Sequence, residues 1–513
     1  MRVPLTVADF LDRAVTVYGD RTAVVDEPDQ PAPSWGEPTW RRVGELARAQ
    51  AAGLDALGVG QGERVAIVSH NAARLLTSFF GVSAWGRVLV PINFRLNANE
   101  VQYIVEHSGA SVLLVDPELE GDLGGVVGPK YRFTIGAEAD EALLQFDTEP
   151  EPWAEPDEDD TATINYTSGT TARPKGVQLT HRNIWLNAVT FAMHMQVSDR
   201  DVYLHTLPMF HCNGWGMVYG VTGLGGTHIV LRKVDGAEIL RRIDRHGVTL
   251  LCGAPAVVAA VLDAAASWDG PIPGAGTVRI VVAGAPPPTR TIERVETELG
   301  WQFNQIYGLT ETTPLLTINR SRAEWDDLSP GDRAAKLSRA GAPAVGVRVA
   351  VDDQGEVLAR TNHVLEGYWE QPEATAGAIV DGWFHTGDGG AVDDEGYVTI
   401  SDRKKDVIIS GGENVSSIEV EDSLFSHPAV AEVAVIGVPD EKWGETVMAL
   451  VVLAAGAAAT EDELIEHCRS NLAHFKCPTK IELRDALART ATGKLQKFKL
   501  RAPYWEGRER QVN

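Results

Sequence analysis

Positive charge is what this 513-residue chain is short of. Lys and Arg number 46 against 71 Asp and Glu, a formal net charge of −25. A surface of that sign repels polyanions and excludes a non-specific nucleic-acid binder. Cysteine is scarce too: Cys212, Cys252, Cys468 and Cys477 are the four, with no CxxC pair among them. That spacing argues against a zinc site and a disulfide framework, and predicts a reducing, cytoplasmic setting. No run reaches the roughly 18 apolar residues of a membrane helix. The opening MRVPLTVADFLDRAVTVYGD carries acidic residues where a signal peptide would be apolar, so it is expected to be a first helix, capped by Thr6. The Walker pattern is missing as well, since Gly493 and Lys494 are followed by Leu495. No Ser–His–Asp set stands out either.

What is present reads as a globular α/β protein. Hydrophobic residues make up 44% and charged residues 23%, and the length exceeds what one core supports, so two or more domains are expected. Short β-branched runs alternate with helix-period segments: VAIVS at 65–69, VLLVD at 112–116, HIVLR at 228–232 and VRIVVA at 278–283. Such runs predict buried, largely parallel sheets covered by helices. Residues 147–160 hold eight acidic residues, three prolines and no Lys or Arg, which predicts a solvated surface connection. TATINYT at 161–167 then alternates as a strand. Near the C-terminus, 388–403 predicts a hairpin, 433–438 and 447–453 two strands, and Thr460 with Glu463 a capping box opening a helix. A small α+β domain is expected from about residue 406. Residues 474–513 carry ten Lys or Arg against four Asp or Glu, a tail of opposite sign to the rest.

The segment YTSGTTARPKG at 166–176 carries the chemistry. Small residues let backbone N–H groups converge on an anion, hydroxyls add donors, and Lys175 adds a point charge. By itself this is either a phosphate loop or a flexible Gly/Ser turn. Tyr307 offers either an aromatic face to a base or a core ring, Asp388 either a ribose acceptor or a turn residue, and Lys494 either a mobile cation or a solvated lysine.

In context, YTSGTTARPKG resembles the phosphate loop of the adenylate-forming superfamily of AMP-binding enzymes, with fatty acyl-CoA synthetases the most similar branch. Further segments follow in that family's order: PMFHCNGWG at 208–216, GAPPP at 284–288, NQIYGLTET at 304–312, GWFHTGD at 382–388, DRKKDVIISGGENVSSIEVE at 402–421 and TATGKLQK at 490–497. The resemblance covers nearly the whole chain. It implies a large N-terminal domain of stacked βαβ sheets with a small barrel (1–401), a hinge (402–406) and a mobile C-terminal α+β lid (407–513). It implies catalytic roles for Lys494, His211, Thr310 and Glu311. Nucleotide contacts are implied for Thr167, Ser168, Gly169, Thr170, Thr171, Lys175, Gly284, Ala285, Pro286, Tyr307, Gly308, Asp388 and Arg403. The acyl pocket is expected to include Trp215, Gly216 and Leu309, with Gly411 and Gly412 beside a pantetheine channel and Lys405 at the hinge. Two departures occur: Ala488–Arg489 stands where the family has Pro-Lys, and the hairpin around VAVDDQGEVLAR is short, read as a trimmed surface feature that touches no catalytic residue.

The implied reaction uses ATP, Mg²⁺ and coenzyme A to convert a carboxylic acid, fatty or aryl, to acyl-AMP and then to a thioester. The alternatives are loading of an acyl carrier protein, adenylate formation without transfer, a natural-product ligase for a bulky acid, and an inactive nucleotide-binding scaffold. Partners are small molecules, with no nucleic acid and no membrane span, and the assembly stays open between monomer and homodimer.

Overall fold

Strands that are apolar at every position must be covered on both faces, and Val88–Ile92, Val112–Val115 and Leu250–Gly253 are buried along their whole length. The computed structural model describes residues 1–167, 173–403, 406–410, 413–440, 443–489 and 495–506, with the side chains of Arg403 and Asn414 outside that set. A seven-stranded sheet runs in the order Gly367–Tyr368, Lys175–Thr180, Thr161–Thr167, Val88–Ile92, Arg64–Val68, Val112–Val115, Tyr131–Thr134. From Thr161–Thr167 onward its strands are parallel, and the two before it are antiparallel. An eight-stranded sheet runs Val24–Val25, Thr227–Val230, Val202–His205, Leu250–Gly253, Arg279–Val282, Gln302–Gly308, Leu315–Arg320, Ala342–Pro343. One hydrophobic core joins the two sheets, taking Ile67, Leu89 and Val112 from the first and Tyr203, Leu250 and Val281 from the second.

A third, antiparallel sheet holds Arg348–Val351, Glu356–Arg360, Trp383–Val392, Ile379–Val380 and Val398–Arg403. It occupies the place of the expected small barrel, and its pairing among the described residues is open. The C-terminal part has its own sheet, with Val430–Asp440 and Gly444–Leu453 as a long hairpin, and its own core around Val420, Leu424, Val435, Val447, Leu464, Cys468 and Ile481.

The expected strand Thr161–Thr167 is present with the same bounds, and Thr460 and Glu463 form the capping box. Two expectations are corrected. The first helix, Ala8–Tyr18, is preceded by Val7 with no side-chain cap, because the chain turns one residue later than Thr6. The acidic connection is not wholly solvated: Glu158 is buried, accepting from Leu5 N at 3.0 Å and pairing with Arg2 at 3.1 Å, so it pins the irregular residues before the first helix to the domain. Among the described residues no helix is long and apolar enough to cross a membrane.

Candidate active site

In open α/β sheets the carboxyl ends of the strands leave a crevice where ligands bind, and several of the expected residues lie at such strand ends. Thr167 ends its strand directly opposite Lys175 in the antiparallel register. Gly284, Ala285 and Pro286 follow the strand Arg279–Val282 as an exposed loop, and Tyr307 and Gly308 end the strand Gln302–Gly308. Gly308 is required where it stands: a Cβ would lie 1.5 Å from the Pro314 carbonyl oxygen. Leu309, Thr310 and Glu311 continue into the short helical turn Thr310–Thr312. Ser168, Gly169, Thr170, Thr171, Lys405, Gly411, Gly412 and Lys494 lie outside the described residues.

Two chains of contacts cross between elements. In the first, the Tyr307 hydroxyl donates to Asp388 Oδ2 at 2.8 Å. Asp388 is buried and its backbone pairs with Arg403, which places both at one edge. The turn that carries Asp388 is clamped by Glu356, whose Oε1 accepts from Gly387 N at 2.8 Å and whose Oε2 lies 3.1 Å from His385 Nδ1. Glu356 was missed in the sequence, because the hairpin that carries it reads as a trimmed surface feature; the structure corrects this, since that hairpin holds the HTGD turn. Asp352, Glu356 and His385 bring ligand atoms within 4.8 Å of one another. Both carboxylate oxygens of Glu356 are engaged by the HTGD turn, so the group acts as a clamp on that turn.

In the second chain, Tyr368 donates its hydroxyl to Glu311 Oε1 at 3.0 Å, and Lys175 Nζ sits 4.5 Å from the centroid of the same ring. A cation over a tyrosine face is stabilised by the ring quadrupole. Tyr368 therefore ties the lysine of the YTSGTTARPKG segment to the carboxylate expected to meet Mg²⁺. It too was missed: a two-residue edge strand has no periodicity to reveal it.

His211 and Trp215 flank an unusual backbone. Cys212, Asn213, Gly214, Trp215 and Gly216 all have positive φ, at 46°, 53°, 60°, 58° and 84°. Left-handed backbone costs a non-glycine residue about 1–2 kcal/mol, so the surroundings must impose this turn. His211 is half-buried with Phe210 beside it, and Trp215 is buried. A Cβ on Gly216 would meet Asn187 Nδ2 at 2.4 Å, so the turn packs hard against the helix His181–His194.

The segment after Lys494 is anchored. On the helix Lys497–Arg501, Lys497 Nζ lies 2.8 Å from Glu421 and bonds Ser417 Oγ, and Arg501 pairs with Asp406 at 3.1 Å. Burial lowers the Lys497 pKa, and Glu421 and Asp402 outweigh it and hold the group above its ordinary value, so it stays charged. Asp402 in turn accepts from Ser417 N at 2.7 Å, and Thr289 N donates to Asp422 at 2.9 Å, so the C-terminal part is docked on the large domain in this arrangement.

Lys175, Glu311 and Tyr307 thus lie at or just beyond strand ends of the two α/β sheets, with Asp388 reaching Tyr307 from the third sheet. The chain matches the model of the AMP-binding enzymes over residues 11–369 and that of the AMP-binding enzyme C-terminal domain over residues 419–494. It belongs to the AMP-binding enzyme family and is an acyl-activating ligase. A 2-methylpropanoate–CoA ligase of Humulus lupulus is 39% identical, with 97% of this chain and 95% of the relative covered. A 4-hydroxybutyrate–CoA ligase of Metallosphaera sedula is 36% identical, covering 97% and 94%. The crystal structure of an anthranilate–CoA ligase in complex with anthranoyl-AMP superimposes with a TM-score of 0.87 at 28% identity, over 98% of this chain and 99% of that one.

Proposed function

We propose that this chain is an ATP-dependent, AMP-forming acid–CoA ligase acting in the cytoplasm on a fatty or aryl monocarboxylic acid. The contact of Tyr368 with both Glu311 and Lys175 supports the reading, because it gathers around one tyrosine ring a cation and the carboxylate expected to meet Mg²⁺. Mg·ATP is the substrate form: Glu311 offers the hard oxygen that Mg²⁺ prefers, Thr310 meets the α-phosphate, and Asp388 accepts from the ribose beside Arg403. Tyr307 presents its ring to the base. The acid's carboxylate oxygen attacks the α-phosphorus, the bond to the β-phosphate breaks and pyrophosphate leaves. Lys175, Lys494 and the hydroxyls of residues 167–171 offset the charge that develops, the electrostatic role that dominates such transfers. The CoA thiolate then attacks the acyl carbon and AMP leaves. Residues 1–401 act as the adenylation domain, 402–406 as the hinge and 407–513 as the lid that exchanges Lys494 for the Gly411–Gly412 side.

The acid enters beside His211, Trp215, Gly216 and Leu309. Residues 207–218 contain no Asp, Glu, Lys or Arg to pair with a charged tail. The relatives named above act on 2-methylpropanoate, 4-hydroxybutyrate and anthranilate, each with a single carboxyl group, which supports the same class here.

Pyrophosphate exchange into ATP across a panel of fatty and aryl acids tests the first half-reaction. Lys494→Ala should lower exchange about a hundredfold or more, and undiminished exchange would remove that lysine from the mechanism. Thioester formation with CoA, compared with a holo carrier protein, tests the acceptor: transfer to the carrier alone would overturn the CoA assignment.

A further inference from the structure

We infer that Asn213 is the positioning residue for the acid-binding half of the site, through a closed ring of hydrogen bonds that ties the left-handed turn 212–216 to the strand entering the phosphate loop. Its Nδ2 donates to Thr163 Oγ1 at 2.9 Å, and that hydroxyl donates to Asn165 Oδ1 at 2.8 Å. Asn165 Nδ2 closes the ring on Asn213 Oδ1 at 3.0 Å and also reaches the Phe210 carbonyl at 3.2 Å. Thr163, Asn165 and Asn213 are all buried. Thr163 and Asn165 are two apart on Thr161–Thr167, so they share one face of the strand.

The residue type answers two demands at once. Asparagine accepts left-handed backbone more readily than other residues with a Cβ. Its amide also supplies both a donor and an acceptor, so the ring leaves no member of this trio unsatisfied. A buried polar network in that condition holds one geometry, where a partly satisfied one is costly. The turn has further ties: Asn187 Nδ2 donates to the Trp215 carbonyl at 3.4 Å, and Cys212 Sγ lies 3.9 Å from the Thr310 carbonyl. The backbone that aims His211 and Trp215 is thereby joined to the strand that ends at Thr167. One joint sets the acid-binding and phosphate-binding halves in register. The inference rests on the proposed function only in taking the ligand beside His211 and Trp215 to be the acid.

The test uses three variants of the full chain. Asn213→Gly tolerates the left-handed backbone and removes both hydrogen bonds of the side chain. Thr163→Val breaks the ring from the strand side at nearly constant volume, and Thr163→Ser keeps it. In acid-dependent exchange, Asn213→Gly and Thr163→Val should lose about tenfold in kcat/KM for the acid, as expected when a positioning group shifts by a fraction of an ångström, while KM for ATP stays within about twofold. Thr163→Ser should behave as the parent. Labelling by a maleimide, mapped by peptide, gives a readout independent of activity: Cys212, buried in the turn, should react faster in the two disrupted variants, with Cys252, Cys468 and Cys477 unchanged. Parent-like labelling of Cys212 in both variants would overturn the inference, as would KM values for acid and ATP rising together. If the parent exchanges with no acid in the panel, the functional reading falls, and the labelling result still decides the ring.

Discussion

Acid should unfold the large domain through histidines that the fold keeps neutral. His181 and His228 are fully buried. His181 Nδ1 accepts from Val7 N at 3.3 Å, and His228 sits between His205 Nε2 at 2.9 Å and Thr222 Oγ1 at 3.1 Å. Burial pushes each down to about 3, and it pushes His205 down as well, with the neighbouring His228 acting in the same direction. At pH 5 the unfolded rings, with pKa near 6.5, bind protons that the folded rings refuse. Stability from these groups is therefore complete above about 6.5 and drains away as the pH falls towards 3. Integrated from pH 7.5 to 5.0, the loss is about 2 kcal/mol per ring and about 4 kcal/mol for the pair. Equilibrium urea unfolding, followed by tryptophan fluorescence at both pH values, measures it. His181→Gln has no proton to gain on unfolding, so between the two pH values it should lose about 2 kcal/mol less than the parent. Equal losses in variant and parent would refute the argument, whatever the carboxylates contribute, because they are common to both chains.

Glu356→Gln should raise KM for ATP about ten- to a hundredfold with the acid's KM unchanged, the worth of a charged acceptor that holds the Asp388 turn; steady-state kinetics with each substrate varied in turn would show it. Tyr368→Phe keeps a ring beneath Lys175 and deletes the hydroxyl bonded to Glu311, so half-maximal activation by Mg²⁺ should move to about tenfold higher concentration. An unchanged Mg²⁺ curve would separate Tyr368 from the carboxylate proposed to bind the metal. Lys497→Met leaves Glu421 buried without its cation and should destabilise the C-terminal part by about 3–5 kcal/mol. Limited proteolysis would report this, and Glu421→Leu in the same chain should restore much of the resistance.

The sequence made the local features legible. TATINYT alternates as the strand it forms, Thr460 and Glu463 sit three apart as the capping box they make, and the apolar runs are the parallel strands. Residues whose role depends on register between distant strands were legible only in part. Tyr307 and Asp388 could be singled out, but their hydrogen bond depends on two sheets meeting. Glu356 and Tyr368 gave no signal, since a short hairpin and a two-residue edge strand look alike whether or not they face a ligand. Asn213 is an intermediate case. The PMFHCNGWG segment drew attention for its histidine and tryptophan, while an asparagine and two glycines in five positions already pointed to left-handed backbone.

The basic tail shows where reading by composition stops. Ten cations against four acids in residues 474–513 suggest a positive field for an anionic nucleotide. In the fold at least five of those cations are paired: Lys476 with Glu419 at 2.7 Å, Arg484 with Glu482 at 2.6 Å, Arg489 with Glu432 at 2.7 Å, Lys497 with Glu421 at 2.8 Å and Arg501 with Asp406 at 3.1 Å. At about 10 Å, a Debye length at ordinary ionic strength, such a pair presents little more than a screened dipole. The paired part of the tail therefore draws little nucleotide from a distance. Lys497 and Arg501 are four apart on one helix and reach Glu421, on the helix Ser417–Phe425, and Asp406, in the segment proposed as hinge, which fastens residues 497–501 to both. On the proposed role of Lys494, its effect on the reaction should therefore follow the position of the fastened segment beside it far more than the salt concentration.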